Sequence, residues 1–238
     1  MTRSPFFWAL GVALLARAPA LAAQEDAIDV SRLAPGTDSM AILLDRGGMG
    51  IPVGTLWDEL ALVQAPGQPA ALRRVYRTVN RATGSHLDTT VTTLPDLRLL
   101  YHRAVEGAVR DSLAAVGDSL VGWVMDSAGA RQPLRRAVPA GQVEMGLFDL
   151  LIRAAPWAPG LVVRAAAFIP AVDTTFELTA RWAGEEDVTL RSGEVAGCWR
   201  IESEVAGLVV TSWVDRRTRV LAKGRIQLTP EIAMVMLR

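Results

Sequence analysis

The 238-residue sequence has one cysteine, Cys198, and two histidines, His86 and His102. A single cysteine cannot form an internal disulfide, and it excludes cysteine-rich zinc sites. We expect Cys198 to be a small buried side chain in a strand rather than a nucleophile or an intermolecular bridge. His86, Asp88 and His102 lack the spacing of a zinc-binding motif. We therefore predict no metal site and no cofactor, with both histidines at or near the surface.

The sequence also has no excess of either charge, since its 25 basic and 25 acidic residues cancel. Arg3 and Arg17 lie in a leader-like segment, which leaves 23 basic against 25 acidic residues and a net charge of −2 after removal of that segment. Nucleic acid selects a basic face, so this balance argues against a nucleic-acid partner. Lys223 is the only lysine, which we attribute to codon usage rather than to function.

The N-terminus has the three regions of a secretory signal. Arg3 precedes the apolar run FFWALGVALLA, and Ala20 and Ala22 make the small-x-small pattern that favours cleavage after Ala22 or Ala23. The run is shorter than the roughly 20 residues of a membrane-spanning helix. No cysteine follows the cleavage site to carry a lipid, and no later run is long enough to span a bilayer. We expect a soluble protein in the periplasm or outside the cell, with no stable transmembrane anchor.

No repeat, linker or low-complexity tract divides the rest of the chain. We predict a signal peptide over residues 1–23, a flexible segment over 24–37 and a single β-rich domain over 38–238. Alternating apolar and polar residues from Thr174 to Trp182, from Trp199 to Val205 and from Val220 to Leu228 predict an antiparallel meander.

One helix is predicted at GLFDLLIRAA, Gly146 to Ala155, where leucines recur at helical spacing and Pro156 follows. A second helix, from Ala104 to Val116, is weakened by its glycines. A sheet of many strands with one apolar face must bury that face, either by curling on itself or by packing against another element. The expected fold is mainly β, a curved antiparallel sheet, or half-open barrel, that wraps one or two helices.

Three short motifs suggest chemistry that their context does not favour. Ser85, His86 and Asp88 contain the residue types of a hydrolase triad, but adjacency does not supply its geometry, and Gly84 to Asp88 reads as a polar turn. Gly48 to Gly54 is glycine-rich like a phosphate loop, yet Pro52 and the strand pattern after it indicate a turn or bulge. The acidic run Glu185 to Asp187 has the paired carboxylates of an acid–base site, but we expect it in a solvated turn, where neither carboxylate is buried.

The order of these patterns resembles a family of uncharacterised bacterial periplasmic domains with the curved sheet of the outer-membrane lipoprotein carrier proteins. The similarity rests on MAILLDRGGMGIPVGTLWDELALV, on DLLIRAAPWAPGLVVRAAAFIP and above all on Trp199 to Leu228, with Trp213 and Asp215 at a strand end before a turn. It extends over residues 38–237 and implies the fold and an apolar cavity. It brings no catalytic residues.

Six tryptophans remain after the leader, and this side chain often lines apolar cavities. Trp182, Trp199 and Trp213 are expected on neighbouring strands and on one face of a cleft, which Phe148 and Ile152 of the helix could plug.

Three functions therefore stay open, and the third is a hydrolase that uses Ser85, His86 and Asp88. The first is a non-enzymatic carrier that holds a lipid or acyl chain in its sheet. The second is a structural or interaction protein of the envelope, with a filled core and a protein partner. A continuous apolar cavity would distinguish the first from the second.

Overall fold

The structure is a computed structural model that describes residues 28–64, 69–81, 84–94, 96–126, 128–137, 141–169, 174–205 and 207–238. The signal peptide predicted over residues 1–23 lies outside these ranges. No helix in the described ranges has both the length and the apolar character needed to cross a membrane.

The described chain forms a single 15-stranded sheet. Its strands are β1 (Gly36–Arg46), β2 (Met49–Val63), β3 (Ala71–Asn80), β4 (Gly84–Thr93), β5 (Leu99–Glu106), β6 (Val109–Val116), β7 (Ser119–Met125), β8 (Arg131–Ala137), β9 (Gln142–Glu144), β10 (Val162–Ile169), β11 (Thr174–Thr189), β12 (Val195–Val205), β13 (Leu208–Asp215), β14 (Leu221–Thr229) and β15 (Ile232–Leu237).

The spatial order is β8-β7-β6-β5-β4-β3-β2-β1-β15-β14-β13-β12-β11-β10-β9. The chain thus begins in the middle of the sheet, runs by hairpins to one edge, crosses to the other edge and returns. All pairs are antiparallel except β9 with β10, which is parallel. The predicted curved antiparallel sheet is confirmed, and it is open rather than closed into a barrel.

Short turns set the register of most hairpins. Between β1 and β2 the turn consists of Gly47 and Gly48, with φ of 60° and 86°. Two consecutive positive φ values match the twist of a two-residue hairpin, and glycine adopts them without a steric cost. A bulge follows where Ile42 pairs with Gly54 and Leu43 with Pro52. The glycine-rich segment is therefore a hairpin with a bulge, as its sequence indicates.

A short helix fills the concave face of the sheet. Helix α1 (Phe148–Ala154) follows a 3-10 turn (Met145–Leu147) and ends one residue before Ala155, so the predicted helix from 146 to 155 is confirmed in its central part. It packs inside the main core with Ile201 and Val214 of the sheet. The second predicted helix is wrong, because residues 104–116 form most of the β5–β6 hairpin.

The segment before β1 also belongs to this core. Val30 and Leu33 are 6 % and 4 % exposed, and a 3-10 turn (Val30–Arg32) places them against α1. Val30 and Leu33 are therefore packed, whereas the sequence predicts a flexible segment over residues 24–37, of which 24–27 lie outside the described ranges. Its apolar residues bury area that a solvated tail would leave exposed to water.

The two ends of the sheet overlap without pairing. On β10, Ala167 faces the main core, whereas Phe168 points to the opposite, convex face and packs against Leu99 and Leu120 of β5 and β7. Arg136 of β8 lies over the Phe168 ring at 5.0 Å and donates to Thr175 Oγ1 at 2.9 Å. We call this region, where the inner face of β4–β8 covers the convex face of β9–β11, the overlap.

A second small core lies on the convex side near the end of β11. It joins Val188, Leu190, Cys198, Trp213 and Ala222. Strand β11 continues through Glu185 to Asp187, so the acidic run lies within a strand and not in the predicted turn. Arg216 forms an ion pair with Glu185, which satisfies one of these charges on the surface.

Candidate functional site

Four of the five predicted cleft residues lie on the concave face. Trp182 and Trp199 pack against the main core, and Phe148 and Ile152 belong to it. Trp213 does not share this face, so the expectation of one tryptophan face is wrong. Trp199 pairs with Val214, and side chains alternate along a strand, so Trp213 points to the convex side. There it packs with Cys198 and lies under Lys223.

Two shallow surface grooves open elsewhere. One, of about 450 Å³, lies along β11 and β12 and is lined by Glu177, Thr179 and Arg181 among others. The other, of about 300 Å³, lies between the end of β11 and the convex face of β14 and β15. None of the five predicted cleft residues lines either groove.

The Ser85–His86–Asp88 motif is part of β4 and not of a turn. Neighbouring residues of a strand face opposite sides, so Ser85 points away from the imidazole of His86. His86 instead meets the Tyr76 ring edge-on at 6.4 Å, and its Nδ1 lies 3.9 Å from Glu106 Oε2. The structure does not bring these three side chains together as a nucleophile, a base and its orienting acid.

A buried charge network anchors α1 to the sheet. Arg74 of β3 is 4 % exposed and donates Nε to Asp58 Oδ1 at 2.7 Å and Nη2 to Asp58 Oδ2 at 3.0 Å. The same guanidinium donates Nη2 to Asp149 Oδ2 of α1 at 2.9 Å and Nη1 to the Gly146 carbonyl. Asp58 is thus shared between a strand and the helix, because Arg153 of α1 also donates Nη1 to its Oδ2 at 3.0 Å.

A second polar cluster centres on His102 of β5. His102 is 3 % exposed, which makes it a core residue and not the surface histidine that the sequence predicts. Its Nε2 lies 3.1 Å from Asp111 Oδ1 on β6, and its Nδ1 lies 3.6 Å from Asp88 Oδ1 on β4. Thr90 donates its hydroxyl to Asp88 Oδ1 at 2.8 Å. These residues lie on the inner face of adjacent strands, in the overlap.

Glu144, the last residue of β9, completes this cluster from the other edge of the sheet. Its Oε1 accepts the Gly146 N–H at 2.9 Å. Its Oε2 is buried without a hydrogen-bond partner. Glu144, Asp88 and His102 each place one oxygen or nitrogen within 4.8 Å of the others, which is close enough for one cation to bridge them.

Burial and charge oppose each other in this cluster. Burial alone would lower the pKa of His102, but the hydrogen bond to Asp111 and the charges of Asp88 and Glu144 raise it to about 9. Burial raises the pKa of Glu144 to about 7, although the nearby His102 charge lowers it. Burial also raises the pKa of Tyr76 well above its ordinary value. The cluster therefore holds strongly perturbed groups, which is typical of functional sites and also of structural ion pairs.

Sequence reasoning considered His102 and Asp88 but missed Glu144. The only local signal is the pair Glu144 and Gly146 next to the helix, and it does not reveal that β9 lies across from β4 and β5. That contact exists only because the sheet overlaps itself.

No protein-family model and no curated protein matches the chain. The fold itself defines the class, a β-barrel-like domain made of one curved open sheet. A crystal structure of the β-barrel-like protein of the domain of unknown function DUF1849 from Brucella abortus is similar, with a TM-score of 0.53 at 13 % identity over 87 % of this chain and 96 % of that chain. At this identity the similarity shows the fold alone.

A crystal structure of the hypothetical lipoprotein YmcC from Escherichia coli (K12) matches with a TM-score of 0.29 at 14 % identity, over 90 % of this chain and 89 % of that chain. A TM-score this low carries no argument about fold or function.

Proposed function

We propose that this domain is an exported protein of the bacterial envelope that acts by contacting a protein partner, with its interior filled, and does not carry an apolar molecule. The observation that carries this proposal is the packing of α1. Leu150 and Ile152 are 0 % and 2 % exposed on the concave face, where a carrier would need an empty, apolar cleft.

The ion pairs of α1 strengthen this argument. A ligand on the concave face would have to displace the helix and so separate Asp149 from Arg74 and Arg153 from Asp58. Breaking a buried ion pair leaves an uncompensated charge and costs about 3–5 kcal/mol. Apolar ligands gain about 25 cal/mol per Å² of buried surface. The cost of breaking these ion pairs would therefore offset much of the free energy that an apolar ligand gains on burial.

Export rests on the leader at residues 1–23. We expect the chain isolated from the periplasm to begin at Ala23 or Gln24, as measured by intact mass and N-terminal sequencing. A full-length mass in the cytoplasmic fraction would contradict export.

Native mass spectrometry of protein purified from the periplasm without detergent tests the filled interior. We expect the mass of the free chain, with no adduct removed by organic extraction and none gained on incubation with phospholipids or palmitate. In intact cells, a short crosslinking treatment is expected to give a discrete complex with another envelope protein.

A stoichiometric lipid adduct would favour the carrier function instead. Two variants then locate the ligand, because Phe148 lies on the concave face and Trp213 on the convex one. Loss of the adduct in Phe148→Ala but not in Trp213→Ala would place the ligand in the sheet and overturn the proposal.

A further inference from the structure

Three metal-ligand side chains converge in the overlap from distant parts of the chain. Asp88 comes from β4, His102 from β5 and Glu144 from the edge strand β9. One carboxylate oxygen from each acid and one imidazole nitrogen all lie within 4.8 Å of one another. Ligands of a tetrahedral ion at 2.0–2.2 Å lie about 3.3–3.6 Å apart, so these side chains reach coordination distances if they move together by about 1 Å.

Glu144 is aimed into this space. It is 4 % exposed, and its Oε2 has no hydrogen-bond partner although it is buried. A Cβ at Gly146 would stand 2.9 Å from this oxygen and 3.6 Å from Asp88 Oδ2. The two carboxylates thus border the same small volume, which the glycine leaves open. An unpartnered carboxylate oxygen in the interior costs free energy unless something binds it.

The second nitrogen of His102 is held as it is in metal sites. Asp111 Oδ1 lies 3.1 Å from Nε2 and also accepts the Ala104 N–H at 3.0 Å, so this carboxylate is fixed in place. A carboxylate only accepts, so it holds the proton on Nε2. A metal ion would therefore bind at Nδ1, where it would replace the Nδ1 proton and the 3.3 Å contact with Thr90 Oγ1. Such outer carboxylates orient many metal-bound histidines.

The charges around this space are unbalanced. His102 faces the carboxylates of Asp88, Asp111 and Glu144. Arg74, the guanidinium that acts on Glu144, already makes ion pairs with Asp58 and Asp149. A group of buried acids with one imidazole between them is stabilised by a further cation.

We propose that Asp88, His102 and Glu144 bind one divalent transition-metal ion. The imidazole favours an ion such as Zn²⁺ over Mg²⁺ or Ca²⁺, which prefer oxygen ligands alone. Three protein ligands leave one position for water or an exchangeable group. The Asp88 side chain is 14 % exposed and marks the side from which an ion enters. The bound ion would join the edge strand β9 to β4 and β5 across the overlap.

Calorimetric titration of the untagged mature protein, stripped with a chelator, tests this site with Zn²⁺ and with Mg²⁺ as competitor. We expect one Zn²⁺ per chain, unchanged by a large excess of Mg²⁺. Glu144→Gln keeps the shape and the Oε1 acceptor but removes the charge, and we expect binding weaker by about 10- to 100-fold or more. The matched control is His86→Gln, which alters the other histidine, and its affinity should equal that of the wild type.

X-ray absorption of the zinc-loaded wild type makes the test independent of how the variants fold. The expected first shell contains one imidazole, oxygen ligands and no sulfur. Asp88→Asn serves if Glu144→Gln does not fold. The proposal is overturned if no Zn²⁺ binds, if the first shell lacks imidazole, or if folded Glu144→Gln or Asp88→Asn binds Zn²⁺ as tightly as the wild type does.

Discussion

The imidazole of His102 and the carboxylate of Asp111 face each other across neighbouring strands, with Nε2 3.1 Å from Oδ1 and both side chains less than 5 % exposed. A histidine with a raised pKa in the interior depends on this partner for its charge. This contact is therefore expected to stabilise the folded domain, in addition to orienting His102 in the proposed metal site.

We expect Asp111→Ala to lower the free energy of unfolding by about 3–5 kcal/mol, because it leaves the His102 charge without its closest partner. Urea denaturation in the presence of a chelator measures this loss without a contribution from metal. His86→Ala is the control, since His86 pairs with Glu106 only at 3.9 Å, and it should change stability by less than about 1 kcal/mol. Equal losses in the two variants would contradict a special role for Asp111.

Two adjacent acids of β2 offer a matched comparison of a buried and an exposed ion pair. Asp58 binds Arg74 at 2.7 Å inside the sheet, and Glu59 binds Arg73 at 2.6 Å on the outside. We expect Asp58→Ala to destabilise the fold by about 3–5 kcal/mol, because two buried guanidinium groups lose the carboxylate that they share. Glu59→Ala should cost about 0–1 kcal/mol. Thermal or urea unfolding of both variants measures these losses. A loss for Asp58→Ala no larger than that for Glu59→Ala would show that the network is not tightly coupled.

Cys198 should be almost inert in the folded protein. It is fully buried next to Trp213, and burial raises the pKa of its thiol to about 11. At pH 8 this reduces the thiolate, the reactive form, by about 100-fold relative to an ordinary cysteine. We expect slow labelling by iodoacetamide in buffer and rapid labelling in guanidinium chloride, as followed by intact mass. Similar rates in the two solvents would mean that the second core opens readily.

Asp215 closes the turn between β13 and β14. Its Oδ1 accepts the N–H groups of Arg217 at 2.8 Å and Thr218 at 3.1 Å. We expect Asp215→Ala to cost about 1–3 kcal/mol at pH 7, since both donors lose their acceptor. Urea titrations at several pH values measure this cost.

The cost of losing Asp215 should depend on pH in one direction. Burial alone would raise the pKa of Asp215, but the backbone hydrogen bonds lower it below its ordinary 3.8. A pKa that is lower in the folded state gives stability that is complete above 3.8 and disappears as the pH falls through the folded value. The difference between wild type and Asp215→Asn should therefore shrink below about pH 3.8. A difference that grows in acid would refute this account.

The strands could be predicted where one face is apolar and the other polar. β12 alternates from Trp199 to Val205 as its sequence predicts. The faces of β13 could not be assigned, because Leu208 to Asp215 has apolar and polar residues on both sides and contains a bulge at Trp213. Period-two patterns are local, and the side that meets the core depends on cross-strand register.

The polar cluster could not have been predicted for a related reason. His102 and Glu144 lie on strands that are far apart in the sheet order and meet only through the overlap. Nothing local in the sequence indicates that a sheet covers its own convex face. By contrast, the leucine spacing and the following proline predict the helix at Phe148–Ala154 from local sequence alone.

The position of β15 constrains how the protein can be made. This strand is the last of the fifteen in chain order, yet it pairs with both β1 and β14 at the centre of the sheet. Until it emerges, the first eight strands and the remaining six have no backbone pairing between them in the described structure. The two halves can each grow from local hairpins, but they become one sheet only after β15 has joined them.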